Sequence, residues 1–195
     1  VYESNILMNN NSQENILFIK WFPYDKRNEA ISSSIGASCY FIHSLKRRKW
    51  NLPVRYILQF IKTIRLFYTK KPRLILVTNP PIFAAFVAAL YCSFTNARFI
   101  IDSHTGAFAK RWDILKLLHK YVSRRALLNI VTNESHERIY LGWRAATLIL
   151  SDLVFEIPMK NAVSLSNKFN IVAICSFSPD EPVNDIIEAA RDLSE

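Results

Sequence analysis

Cysteine is scarce in this chain. Only Cys39, Cys92 and Cys175 occur, far apart, odd in number and each in an apolar run. No metal-ligand spacing links them and no disulfide framework can be assembled, so buried thiols in a reducing compartment are expected. Long hydrophobic runs are missing too. The longest covers residues 82–94 and is interrupted only by Ser93. It is too short to span a bilayer and suits a helix buried against a sheet. No signal-peptide pattern is visible. No metal cluster, no Gly-x-Ser-x-Gly elbow and no Gly-x-x-x-x-Gly-Lys phosphate loop occurs, so no cofactor or metal is expected.

What is present is a globular composition. Half of the 195 residues are apolar and 13% are aromatic, which excludes a disordered chain. The length suits one domain with a core, or one domain and a piece of another. Charge is uneven. Residues 1–150 hold 22 Lys/Arg and 8 Asp/Glu, whereas residues 151–195 hold 3 and 8. A basic first part suits nucleic acid, anionic lipid or a phosphate-bearing substrate, or is a plain solvated surface. The chain begins at Val1, and residues 180–195 read as a single helix following a strand. A fragment, short at its C-terminus, is the expectation.

Residues 1–15 are polar and read as a lead-in. Short apolar strands are predicted at 16–21, 38–42, 74–77, 98–101, 128–132 and 145–150. Helices alternate with them. One runs over 29–35 with Gly36 as its C-cap. Another runs from Pro53 to about residue 68, with Ile57, Phe60, Ile61, Ile64 and Phe67 or Tyr68 inward and Arg55, Lys62 and Arg65 outward. Three more are expected from Pro80, over 112–126, and from Asn133 or Ser135 to a stop at Gly142. The loop HSLKRRKWNL carries four consecutive cations, residues 46–49. Residues 151–168 lack periodicity and read as a linker. A fresh β-α unit follows: a strand at 169–175, the loop SFSPDEP and a helix over 183–193. The pattern is α/β: a doubly wound parallel-sheet domain over 16–150 and the first unit of a second domain over 169–195. Ligands of such sheets bind beyond the strands' carboxyl ends.

Several segments, in order, resemble the family 4-like glycosyltransferases of GT-B architecture: LFIKWFPYDKR, LILVTNPP, ARFIIDSHTG, RRALLNIVTNE and IVAICSFSPDEPVNDIIEAAR. The Asn-Pro-Pro turn followed by an Asp-x-His strand end is also similar to the β-1,4-mannosyltransferases that extend lipid-linked chitobiose. The resemblance spans roughly residues 16–195. It implies two Rossmann-like domains facing a cleft, the first binding a hydroxyl or lipid-linked glycan acceptor and the second a nucleotide-sugar donor. It also implies metal-independent chemistry and a cytoplasmic place, peripheral on an anionic membrane surface. This fragment alone would not transfer sugar. A non-catalytic glycosyltransferase-like recruiting subunit and a GT-B sugar-nucleotide epimerase remain alternatives. A nucleic-acid-binding domain is suggested only by charge, and no stacking aromatic platform accompanies it, so nucleic acid is not an expected partner.

Candidate residues sit at the predicted strand ends. His104 follows Asp102, and could bind a sugar hydroxyl, stabilise leaving-group charge or act as a base. Asp102 could orient the ring or bind a hydroxyl itself. The plainer reading is a structural Asp-His turn. Thr105 and Gly106 extend this turn, with Gly106 allowing close backbone approach. Asn79 either faces the cleft or caps the following helix. Arg27 lies in a strand-to-helix loop that is commonly glycine-rich in GT-B enzymes but has no glycine here. It is either a phosphate contact or a solvated cation. Asn133 and Glu134 could reach the cleft or form a helix N-terminus. His119 lies on an apolar helix face and reads as a packed core residue. The basic loop with the helix after it could rest on anionic membrane, or the helix packs on the sheet with its charges in water.

Overall fold

A computed structural model describes residues 2–3, 15–45, 51–151, 170, 172 and 182–192. The basic stretch 46–50, nearly all of the linker and the restart at 173–181 therefore lie outside the described residues. The chain divides into two compact units, residues 1–154 and 155–195.

The first unit holds seven strands: β1 (Tyr2–Glu3), β2 (Ile16–Lys20), β3 (Ser38–Phe41), β4 (Leu74–Asn79), β5 (Arg98–Ser103), β6 (Leu128–Val131) and β7 (Thr147–Ile149). They form one sheet in the order β1-β3-β2-β4-β5-β6-β7. Six run parallel, and β1 pairs antiparallel with β3 at the edge. Part of the predicted lead-in is thus sheet, because its backbone completes the open side of β3. Five helices lie between the strands: α1 (Lys26–Ile35), α2 (Leu52–Lys70), α3 (Ile82–Ser93), α4 (Lys116–Arg125) and α5 (Glu134–Gly142). This is a Rossmann-like doubly wound α/β fold.

The direction of travel reverses once. The chain moves from β2 outward to β3, then crosses back to β4 and continues to β7. Right-handed crossovers then put helices on opposite faces. On one face, Ile31 of α1 packs against Phe18 and Leu76. On the other, Leu17, Ile19, Ile75, Val77, Phe99 and Ile101 meet Phe67 of α2, the Ala-rich face of α3 and Val122 of α4. The alternation of odd and even strand residues between the two cores is the period-2 signature of a sheet covered on both sides. The reversal between β2 and β4 is a topological switch point, where such sheets bind ligands.

Helix α3 is the apolar run 82–94, buried through Ile82, Ala84, Ala85, Val87, Ala88, Ala89 and Tyr91. No helix among the described residues is long and apolar enough to cross a membrane. The α2 register differs in part from expectation, although Phe60, Ile64 and Phe67 pack on the core as expected. Its buried line is Gln59, Thr63 and Phe67, whereas Ile57, Ile61 and Tyr68 are exposed. Two polar side chains lie inward, each held by a long-range bond. Gln59 Nε2 donates to the Ile42 carbonyl at 3.0 Å, and Thr63 Oγ1 accepts from Trp21 Nε1 at 2.9 Å.

Several predicted boundaries also shift. Helix α1 begins at Lys26, since the Asp25 side chain accepts from Asn28 N and caps it. The strand-to-helix loop is shorter than expected, and Arg27 belongs to the helix. Gly36 ends α1 with φ 66°, a left-handed cap. Gly142 does not play that part in α5. The left-handed residue there is Arg144, with φ 59°. Residues 110–115 form 3-10 turns before α4 starts. Cys39 is buried and Cys92 half-buried. Burial pushes both thiols up to about 11, so both are protonated at neutral pH.

The second unit contributes one described element, α6 (Val183–Asp192). Its first turn carries Asp185, and the Pro182 carbonyl accepts from Ile186 N.

Candidate functional site

Strand alternation decides which side chains meet at the carboxyl edge. β4 and β5 pair in register, Thr78 with Asp102 and Asn79 with Ser103. Thr78 and Asp102 therefore face α1, and Asn79 and Ser103 face α4 and α5.

On the α1 side, Asp102 is 1% exposed and meets two partners, Arg27 and His104. Arg27, in the first turn of α1, reaches it with Nε to Oδ2 at 3.5 Å and Nη2 to Oδ1 at 3.4 Å. His104 Nε2 lies 3.1 Å from Oδ2, and its ring is 27% exposed. Burial pushes the Asp102 carboxyl up. The His104 hydrogen bond, then the charges of His104 and Arg27, outweigh it and hold the carboxyl below its usual range. Arg27, 7% exposed, also donates to the Leu150 and Ser151 carbonyls, each at 3.2 Å. It is not a solvated loop cation. It ties α1, β5 and the end of β7 together. Beside it, Asn28 Nδ2 donates to Thr78 Oγ1 at 2.7 Å. Asp25 pairs with Lys20 next to this group.

On the opposite side lies a buried polar network. Asn79 Nδ2 is 3.3 Å from Ser103 Oγ and 3.0 Å from His119 Nε2. Tyr140 OH bonds both Ser103 Oγ and His119 Nε2, the latter at 2.8 Å. Burial pushes His119 down to about 4 and Tyr140 up to about 12. Both are neutral at physiological pH. Asn79 neither faces a cleft nor caps α3, whose N-cap is Pro81 without a side-chain bond. It is 1% exposed, and the sheet separates its side chain from Asp102. Asn79 and His104 therefore do not share one surface. His119 is buried as expected, in a network that its apolar helical neighbours gave no sign of.

The remaining candidates scatter. Thr105 is exposed, in the 3-10 turn after His104. Gly106 has no left-handed backbone, and a Cβ there would sit 3.5 Å from Pro80 Cγ, an ordinary contact. Close approach is not what requires glycine at this position. Asn133 caps α5 by accepting from His136 N at 3.0 Å. Glu134 pairs with Arg138 at 3.4 Å across solvent. Neither contacts the Asp102 group through any bond described above. Among the described residues no set of three His, Cys, Asp or Glu could hold a metal ion.

Next to this edge is a cavity of about 550 Å³, opening where β2 and β4 end at the switch point. Trp21, Tyr56, Pro80 and Trp112 help to wall it. Arg55, Gln59, Ser44 and Arg111 supply its polar groups. Sequence reading missed it because its walls come from five separate segments. The one available sign was glutamine at 59 in line with Thr63 and Phe67, a polar residue on a face that packs.

The chain matches no protein-family model and no curated protein.

Proposed function

We propose that residues 16–150 form the acceptor-binding half of a glycosyltransferase, one that moves a sugar from a nucleotide-sugar donor to a hydroxyl acceptor. One observation carries the reading. A buried aspartate, kept ionised by its bond to His104 and by the arginine behind it, holds that partly exposed histidine at the carboxyl edge of a switch-point sheet. The geometry has the logic of a base and its orienter. Asp102 accepts from His104 Nε2–H, which leaves Nδ1 as the basic nitrogen. As the acceptor oxygen attacks the anomeric carbon, its proton passes to Nδ1 and the bond to the nucleotide phosphate breaks. Arg27 is a positioning residue, since it acts through Asp102. The donor would be held by a second Rossmann-like domain, of which residues 169–195 are read as the opening. None of these steps calls on a metal or cofactor.

The reading includes a cytoplasmic location, peripheral on an anionic membrane. The membrane part of it is supported by the outward face of α2, where exposed Val54, Ile57 and Ile61 lie beside Lys62 and Arg65. An apolar stripe flanked by cations suits the lipid interface.

The test is turnover of a panel of nucleotide sugars, with hydroxyl and lipid-linked acceptors, by protein from the whole reading frame. His104→Ala is expected to lower kcat by about 100-fold or more. Wild-type turnover in that variant removes His104 from the mechanism. A wild-type protein that consumes no nucleotide sugar sinks the transferase reading.

A further inference from the structure

The cavity at the switch point contains buried polar atoms that have nothing to bond. Gln59 Nε2 is committed to the Ile42 carbonyl at 3.0 Å, which fixes the amide orientation, since the flipped amide would set oxygen against oxygen. Gln59 Oε1 is then left without a partner among the described residues, and so are Ser44 Oγ and Trp112 Nε1. Gln59 is 3% exposed and Ser44 7%. All three residues line the one cavity, and Trp112 also lines a smaller one beyond it. A buried polar atom without a partner is costly, and native structures hold few of them. Three around one space point to a ligand that supplies the missing bonds.

The lining says what kind of ligand. An amide oxygen can only accept, so the ligand must present an O–H or N–H donor to Gln59, and a sugar hydroxyl serves. Trp21 and Tyr56, with ring centroids 6.1 Å apart, offer flat apolar surface that a saturated ring can lie against. The charged groups of the lining are Arg55 and Arg111, with His43 beside them and no Asp or Glu among the described residues. Guanidinium groups match the geometry of phosphate oxygens. The volume lies within the range of small-molecule sites. We infer that this cavity binds a sugar carrying a phosphate ester. The arginines meet the phosphate, and Gln59 and Ser44 bond ring hydroxyls. A prenyl phosphate would satisfy the arginines and leave both orphan oxygens unpaired. Inorganic phosphate would leave the aromatic wall without contact. The ligand class stands on the cavity alone; that this ligand is the acceptor rests on the transferase reading above.

Calorimetric titration of the full chain tests it. The probes are glucose 1-phosphate, mannose 1-phosphate and N-acetylglucosamine 1-phosphate, beside free glucose, farnesyl phosphate and inorganic phosphate. At least one hexose phosphate is expected to bind, with free glucose, farnesyl phosphate and inorganic phosphate each about tenfold weaker or worse. Arg55→Gln and Arg111→Gln are each expected to cost about tenfold in affinity. Both side chains are at least partly exposed, and melting curves verify that the variants fold. Ser44→Ala is expected to weaken binding about fivefold while leaving the melting temperature equal or higher, because it removes an unpaired hydroxyl. The inference is overturned if no hexose phosphate binds. It is overturned equally if farnesyl phosphate or inorganic phosphate binds as tightly as the best sugar, or if the arginine variants bind like wild type. Hexose phosphate binding without nucleotide-sugar turnover would sink the transferase reading and leave the cavity assignment standing. Turnover without such binding would do the reverse.

Discussion

Asp102 and His119 are both buried ionisable groups, yet their burial has different consequences. Asp102 keeps its charge because Arg27 and His104 compensate it, and in return it is the carboxylate that meets the buried Arg27 guanidinium across the sheet edge. Removing one partner of such a pair costs about 3 kcal/mol or more, because a buried charge loses its counter-charge. Asp102→Ala should therefore lower stability by about 3 kcal/mol in urea unfolding. His104→Ala should cost under about 1 kcal/mol, since its ring is partly in water. Equal losses in the two variants would show that Asp102 does not hold Arg27. His119 carries no charge, with its folded value near 4 against an ordinary 6.5. The unfolded chain takes up a proton below about pH 6.5 and the folded chain resists it until about 4. Stability is then full above pH 6.5 and falls as the pH drops toward 4, by about 3 kcal/mol in all. Thermal melts across that window should show the loss, and His119→Gln should flatten it. Asp102, with its depressed carboxyl, adds a loss in the same direction, confined to pH values below its ordinary range.

At the scale of elements, termini hold the clearest liabilities. α2 ends on Lys71, a non-glycine residue at φ 48° whose N–H bonds the Phe67 carbonyl. A left-handed L-residue costs about 1 kcal/mol, so Lys71→Gly should raise stability by about that much, visible as a melting temperature about 3 °C higher. No change would mean that the lysine side chain makes compensating contacts. Most of the elements were legible from sequence, because strands of four to six residues alternate with helices and both periods are clean. Gly36 was legible as a cap because glycine is the residue that enters the left-handed region without strain. The inward line of α2 was legible only in part: Phe60, Ile64 and Phe67 pack inward as the spacing implies, but Ile57 and Ile61 do not. Hydrophobicity favours Ile57 and Ile61 over Gln59 and Thr63, and the deciding facts are long-range bonds to Ile42 and Trp21. Arg27 was misjudged by the same route. A cation in a short loop reads as solvated until Asp25 is seen to start the helix one residue before Lys26, which turns Arg27 toward Asp102. The Asp-x-His strand end was legible as a pair, since residues two apart on a strand share a face. Asn79 was misassigned because sequence order alone did not fix which face of the sheet it would take.

At the scale of the whole molecule, residues 1–154 contain the sheet, both of its cores and the Asp102 group. A chain ending at residue 154 should unfold cooperatively, with a melting temperature within about 3 °C of the parent. A broad, non-cooperative melt would show that the first unit depends on the second. The two sides of the sheet's carboxyl edge carry different work. Toward α1 lie an ion pair and a half-exposed imidazole. Toward α4 and α5 lie uncharged groups sealed from water. Neighbouring positions 102 and 103 therefore belong to separate circuits although one peptide bond joins them. Point substitutions can alter reactivity at one and rigidity at the other with little cross-talk. A single-residue insertion or deletion early in β5 can do neither alone, because it exchanges the two circuits at once. That edge should accept amino-acid replacement far more readily than any change in strand length.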